Sequence, residues 1–174
     1  MSKIAAHIVV LASISLISMG IAFGAEAGGH VVKRNAAGGI SGGSARGIKG
    51  ANGKAATMKG FATDGKGNVA GGSAAAVSTP SGTKAARAGR FTRGSDGTIN
   101  HRSGMAVTGR RGSAASSGSA TKDSSGNVSG ERSTSATSSS GSSYQGDTTY
   151  NKSTGVSHSG TCKDAAGNVV SCPK

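Results

Sequence analysis

Apolar side chains recur along this chain with a spacing of eight residues. Successive copies of the pattern lie 29 or 30 residues apart. The copies are Val32, Ile40, Ile48; Phe61, Val69, Val77; Phe91, Ile99, Val107; and a weaker Ala120, Val128, Ala136. Between the second and third positions of a copy, as from Val69 to Val77, alternate residues are apolar at both ends and small in the middle, as on one face of a β-strand. The pattern therefore predicts a repeat of 29 or 30 residues that contains two strands.

Glycines punctuate the chain at nearly equal steps and mark the turns of this repeat. Several follow an Asp or Asn three residues earlier, as in TDGKGN, KDSSGN and KDAAGN, and TPSGT adds Pro80 inside a turn. An Asx side chain bonds back to the backbone and glycine tolerates positive φ, so the segments predict type I turns followed by a left-handed residue. Such turns join antiparallel strands. The punctuating glycines are Gly38, Gly53, Gly67, Gly82, Gly97, Gly112, Gly126, Gly141, Gly155 and Gly167.

The fold class expected from this pattern is all-β, an elongated antiparallel meander of tandem hairpins. A solenoid of stacked coils is the alternative. Composition works against both, because residues 28–174 contain nine Val, three Ile, two Phe and no Leu. So few large apolar residues, together with a net charge of +13, would by themselves predict disorder. Any fold must therefore depend on backbone pairing, and the small side chains also predict self-association into fibres.

The first 27 residues have the layout of a secretory signal peptide. Lys3 supplies the positive start, residues 8–23 are mostly apolar, and Ala25-Glu26-Ala27 is the best cleavage motif. Serines and a glycine interrupt the apolar run, which argues against a membrane anchor. We expect a secreted or periplasmic protein whose mature chain begins at Gly28 and carries no transmembrane span.

Positive charge is concentrated in the first half of the mature chain. Residues 28–112 have 14 Lys and Arg against two Asp, whereas residues 113–174 have five against four acids. This predicts a basic Gly/Ala-rich repeat region followed by a near-neutral Ser/Thr-rich one. A basic region of this kind favours anionic polymers. The candidate contacts are Lys84, Arg87, Arg90, Arg93, Arg102, Arg110 and Arg111.

Little in the sequence indicates catalysis or a cofactor. GISGG at residues 39–43 matches a hydrolase pattern without its strand-to-helix context. The acids Asp64, Asp96, Asp123 and Asp164 recur at turn positions, where capping explains them. One metal hypothesis remains: cleavage after Ala27 would start the mature chain with Gly28, Gly29 and His30. A free amine, two amides and an imidazole suit Cu(II) or Ni(II).

The two cysteines, Cys162 and Cys172, flank the last turn and predict a disulfide, since export permits one. Their register raises a difficulty. If Asp164 pairs with Asn168, Val170 faces Cys162 and Cys172 lies one pair further out. Either this turn is looser than the others, or the cysteines stay free or join two chains.

These features predict a non-enzymatic exported bacterial protein with a structural or adhesive role at the envelope or in extracellular matrix. Its partners would be anionic polymers such as extracellular DNA, lipopolysaccharide or acidic polysaccharide, bound without sequence selectivity. One alternative is a cationic antimicrobial or toxin-like protein, weakened by the lack of a bulky amphipathic stretch. The other is a periplasmic copper-binding protein.

Overall fold

The computed structural model describes residues 26–172, so the predicted signal peptide lies outside the described residues except for its last two positions. The described chain contains strands and turns and no helix. The strands are β1 (Glu26–Arg34), β2 (Ile40–Gly50), β3 (Gly53–Thr63), β4 (Val69–Ser78), β5 (Lys84–Arg93), β6 (Ile99–Gly109), β7 (Gly112–Lys122), β8 (Val128–Ser138), β9 (Ser143–Asn151), β10 (Gly155–Lys163) and β11 (Val169–Val170).

All eleven strands form one sheet in which spatial order follows chain order. Every neighbouring pair is antiparallel, for example β3 with β4 and β5 with β6. The predicted meander of tandem hairpins is therefore confirmed, and the solenoid alternative is wrong because each strand pairs only with its neighbours in the chain. The boundary between the basic and near-neutral regions falls inside the sheet, where β6 and β7 pair along their length.

None of the elements in residues 26–172 is a helix long and apolar enough to cross a membrane.

Several turns carry the predicted backbone geometry. All ten punctuating glycines have positive φ, from 81° at Gly155 to 129° at Gly112, and Gly65 adds an eleventh. In the turn after β4, the Thr79 amide donates to the Thr83 carbonyl oxygen, and the Gly82 amide donates to the Thr79 carbonyl oxygen. The turn after β7 repeats this pattern at Asp123 and Asn127. These bonds define a type I turn closed by a left-handed glycine.

An Asp–Asn clamp closes three of the turns. In the turn after β7, the Asn127 amide donates to Asp123 Oδ1 at 2.9 Å, and Asn127 Nδ2 donates to Asp123 Oδ2 at 2.8 Å. Hydrogen bonds from the Asn127 side chain and backbone hold the pKa of Asp123 below its ordinary value. Asp64 and Asp164 have lowered pKa values for the same first cause, a bond from the Asn side chain four residues on. The sequence-based assignment of these acids to turns is confirmed.

Successive turns on one edge of the sheet are also bonded to each other. Asn35 Nδ2 donates to the Thr63 carbonyl oxygen at 2.7 Å, and the Ile40 amide donates to Thr63 Oγ1. One repeat further on, the Ser95 amide donates to Asn68 Oδ1 at 2.9 Å. These bonds link turns that lie two strands apart, so they couple one hairpin to the next.

The sheet has two chemically different faces, because alternate residues of a strand point to opposite sides and paired residues share a side. We call the side that carries Phe61, Phe91, Tyr144 and Tyr150 the aromatic face. It also holds every Ile of the strands. The other side is the alanine face. It is defined by one lateral row of exposed residues: Ala56, Ala76, Ala86, Ala106 and Ala115.

A single layer of this kind has almost no hydrophobic core. Among the described residues, Cys162 is the one apolar side chain that is buried, at 7% exposure. Phe61 and Phe91 remain 44% and 41% exposed. Stability must therefore come from ladder hydrogen bonds, turn clamps and cross-strand contacts within each face.

We call the last hairpin, which the Cys162–Cys172 disulfide closes, the terminal clasp. It corrects the expectation that this turn is looser than the others or that the cysteines are not paired with each other. The last turn is as tight as the others, with the Asp164 amide donating to Asn168 and the Gly167 amide to Asp164, and Cys162 does pair with Val170. The disulfide between Cys162 and Cys172 forms nevertheless, with a Cα–Cα distance of 5.2 Å. A diagonal pair in a regular ladder would be about 7–8 Å apart. Since β11 ends at Val170, the chain beyond it is free to turn back toward Cys162.

Candidate functional site

A basic groove lies on the aromatic face across β1 to β5. Two adjacent lateral rows build it. In one row, Arg46 pairs with Thr57, Thr57 with Ala75 and Ala75 with Arg87. Three interstrand spacings of about 4.8 Å place Arg46 and Arg87 about 14 Å apart along this row. The regular pairing of five strands thus holds cations that lie 41 residues apart in the sequence on one surface.

The second row supplies Lys59, the third cation, and most of the small side chains at the bottom of the groove. His30 pairs with Ser44, Ser44 with Lys59 and Lys59 with Ser73. The groove has a volume of about 600 Å³. Its small side chains leave the hydroxyl groups of the floor accessible between the longer cationic side chains. Such a surface offers both charge and hydrogen-bond donors to sulfate, phosphate or carboxylate groups.

An apolar border runs beside the groove, one row beyond Lys59. Phe61 pairs with Gly42 on one side and with Gly71 on the other, and Phe91 pairs with Gly71. A Cβ placed on Gly71 would lie 2.6 Å from Cε1 of Phe91, so the ring occupies the space above that glycine. The aromatic rings therefore cover neighbouring glycines and present an apolar margin to whatever occupies the groove.

The seven predicted polyanion contacts do not form one surface. Arg87 and Arg93 lie on the aromatic face, and only Arg87 lines the groove. The remaining strand residues of the set, Lys84, Arg90 and Arg102, lie on the alanine face, and Arg90 pairs directly with Arg102. The last two, Arg110 and Arg111, form the turn between β6 and β7. A run of cations in a strand is split between two faces because its side chains alternate.

Sequence reasoning missed Arg46 and Lys59 as members of this surface. Both belong to strands without an obvious cationic cluster. The signal that would have found them is the turn positions, since each punctuating glycine sets the register of a hairpin. Counting outward from Gly53, Gly67 and Gly82 places Arg46 and Arg87 in one row.

A second polar cluster lies on the aromatic face near the C-terminal end of the sheet. Nδ1 of His158 lies 2.8 Å from Thr148 Oγ1, and its Nε2 lies 3.2 Å from the Tyr144 hydroxyl. Tyr144 in turn lies against Gly146 and Gly160. Both ring nitrogens of His158 thus have hydrogen-bond partners, so the cluster ties β9 to β10 and leaves no imidazole nitrogen open to a ligand.

The predicted copper motif lies in β1. Gly28, Gly29 and His30 are extended and pair with residues of β2. A planar chelate of four nitrogens would require these residues to leave the ladder, so metal binding there stays a prediction that demands local opening of β1. In residues 26–172, no three His, Cys, Asp or Glu side chains are grouped so that they could hold a metal ion.

Compared with protein-family models, with curated proteins and with solved structures, the chain matches none.

Proposed function

We propose that this is an exported, non-enzymatic structural protein that binds anionic polymers on the aromatic face of its sheet. One observation carries the proposal: Arg46, Lys59 and Arg87, from three different strands, converge on one groove of about 600 Å³. The role would be adhesive, at the cell envelope or in extracellular matrix, where such polymers are abundant.

The groove suits a repeating anion better than a single small one. Its cations are spread over about 14 Å of an open groove, so a chain with regularly spaced charges engages several of them together. Serine and threonine side chains between the cations offer hydrogen bonds that do not depend on a particular sequence. We therefore expect the groove to bind acidic polysaccharide, DNA and lipopolysaccharide alike, with an affinity that falls steeply as the salt concentration rises.

The disulfide and the predicted signal peptide support an extracellular or periplasmic site of action. A bridge between Cys162 and Cys172 persists in an oxidising compartment and would be reduced in the cytosol. A non-enzymatic role agrees with a sheet whose functional side chains are spread over an open face.

Two triple variants test the proposal because the sheet offers matched sets of cations. The groove variant combines Arg46→Ser, Lys59→Ser and Arg87→Ser. The control combines Lys54→Ser, Lys84→Ser and Arg90→Ser on the alanine face, and removes the same charge. Heparin affinity at several salt concentrations should fall at least about tenfold in the groove variant, with a shallower salt dependence, because three ion contacts are lost. The control should stay within about threefold of wild type.

Equal losses of heparin affinity in the two variants would contradict the assignment of binding to the groove. They would mean that binding depends only on the net charge of the protein. Double-stranded DNA and lipopolysaccharide, measured in parallel, show whether one anionic chemistry is preferred. No binding of the wild-type protein to any of the three would overturn the proposed function.

A further inference from the structure

Both edges of the sheet offer an unpaired backbone among the described residues. β1 pairs only with β2, and β11 pairs with just Cys162 and Lys163 of β10. Residues 155–161 of β10 therefore pair with β9 alone. This segment contains no Lys, Arg, Asp, Glu or Pro, the residues with which natural proteins protect an exposed edge. An edge of this kind is a template for another strand.

The directions of the backbone groups on the two edges agree. In the last turn, the Asp164 amide bonds to Asn168, so residues 156, 158 and 160 direct their amide and carbonyl groups toward the open side of β10. In the first turn, the Asn35 amide bonds to Gly39, so residues 28, 30 and 32 direct theirs away from β2. All six residues lie in rows of the aromatic face, and Gly28 and Gly160 carry no side chain there. If the two edges paired antiparallel, their outward amide and carbonyl groups would therefore bond to each other. The aromatic faces of the two copies would then lie on the same side of the joined sheet.

The lateral rows of the sheet select one register for that pair. Val32 and Val156 belong to the row that contains Phe61 and Tyr150. If Val32 of one copy lies opposite Val156 of the next, the row continues through the junction without a break. His30 then faces His158, and Gly28 faces Gly160. This register aligns the two faces of both copies.

The terminal clasp sets the end of the open segment. In this register Ala27 lies opposite Thr161, and the next position of β10 is Cys162, which already pairs with Val170. The disulfide holds that short pairing in place. A mature chain that starts at Gly28, as the sequence predicts, fits the open segment without colliding with the clasp.

We propose that β1 of one copy pairs antiparallel with the open segment of β10 of a second copy, so that the chain assembles head to tail into one continuous sheet. The contact joins two different surfaces of the protein and is therefore not closed by a two-fold axis. Repetition extends it into a filament whose aromatic and alanine faces run uninterrupted. The assembly does not depend on polymer binding.

Substitutions at Val156 test the contact. Its side chain is 70% exposed and its amide points to the open side, so Val156→Pro removes an intermolecular donor without removing a bond to β9. Val156→Thr keeps the amide and the branched shape and serves as the matched control. In polymer-free buffer, sedimentation velocity should show wild type and the Thr variant growing with concentration. The Pro variant should need about tenfold or more protein to reach the same size, because one buried ladder bond is unmade.

Cysteine cross-linking tests the register independently of any effect of proline on folding. Mixed Val32→Cys and Val156→Cys proteins should form a disulfide heterodimer under mild oxidation, while the native bridge stays closed. Mixed Val31→Cys and Val156→Cys proteins should not, because residue 31 lies on the alanine face. A wild-type protein that stays monomeric at every concentration, or cross-linking that is equal in the two mixtures, would overturn the proposal.

Discussion

The two faces of the sheet carry equal numbers of Lys and Arg side chains and differ in their acids and in their large apolar side chains. The aromatic face has Arg34, Arg46, Lys59, Arg87, Arg93, Lys122 and Arg132; the alanine face has Lys33, Lys49, Lys54, Lys84, Arg90, Arg102 and Lys163. Glu131 and Asp147, the acids of the strands whose side chains are described, both lie on the alanine face. Eleven of these fourteen cations lie before residue 113, so the division into a basic and a near-neutral half describes the charge better than the division by face.

The apolar side chains show a second difference between the faces. Large rings on the aromatic face cover adjacent glycines, as Phe91 covers Gly71, whereas the alanine row is exposed throughout. One face thus gains contacts between strands from large rings, whereas the other has mostly small side chains around a groove of about 690 Å³ and cross-strand hydrogen bonds such as Ser119 to Glu131. In a sheet without a second layer, this comparison indicates that large apolar contacts stabilise mainly the aromatic face.

The largest expected difference comes from removing one exposed apolar side chain from each face. Phe91→Ala should lower the free energy of unfolding by about 1–2 kcal/mol, since the ring contacts Gly71 across the strand pair. Met58→Ala, on the alanine face and 50% exposed, should cost less than about 1 kcal/mol. Urea denaturation measures both. Equal losses would mean that exposed area alone decides the effect, and that the faces do not differ.

A smaller difference should follow from adding a methyl group to a strand glycine on each face. At Gly71 the new Cβ would meet Phe91 at 2.6 Å, so Gly71→Ala should displace the ring and cost about 1 kcal/mol. At Gly104, on the alanine face, the nearest atom would be 3.5 Å away. Gly104→Ala should be neutral or stabilise by about 0.5 kcal/mol, because glycine in a strand loses more entropy on folding. Thermal unfolding of the pair checks the sign, and a stabilised Gly71→Ala would contradict the ring contact.

The smallest effect on stability should come from lowering the pH. It should not distinguish the two faces, because the carboxylates that titrate lie in the turns. Hydrogen bonds from asparagine lower the pKa of Asp64, Asp123 and Asp164 from the ordinary value of 3.8. Their contribution to stability is therefore complete above that value and is lost as pH falls below it through the lowered folded-state pKa.

Asp123→Asn provides the control for this pH dependence, because Asn35 already makes the corresponding backbone bonds in the first turn. The variant should be less stable than wild type near pH 7, because the Asn127 side chain loses its carboxylate acceptor, and it should lose less further stability than wild type below pH 3.8. Denaturation midpoints at a series of pH values measure this. A wild-type stability that is flat from neutral pH to well below that value would show that the clamps contribute nothing.

Most of the fold could be predicted from the sequence because its determinants are local. A turn such as residues 123–127 contains its own acceptor, its left-handed glycine and its closing asparagine, and ten turn glycines in regular succession specify a meander. The candidate site was harder to predict from the sequence. Lys84 and Arg87 are close in sequence and lie on opposite faces, whereas Arg46 and Arg87 are far apart and line one groove. Their relation depends on the register of three hairpins taken together.

The turn positions, the strand lengths and the alternation along each strand are predictable from the sequence, since they follow from neighbouring residues and the period of an extended backbone. The folded sheet was needed to establish which residues of different strands share a row. It also decided how the last cysteine reaches its partner beyond the end of the ladder, and where the sheet leaves its backbone unpaired. These properties require strand pairing over the whole sheet, because a lateral row is defined by hydrogen bonds between residues that are distant in the chain.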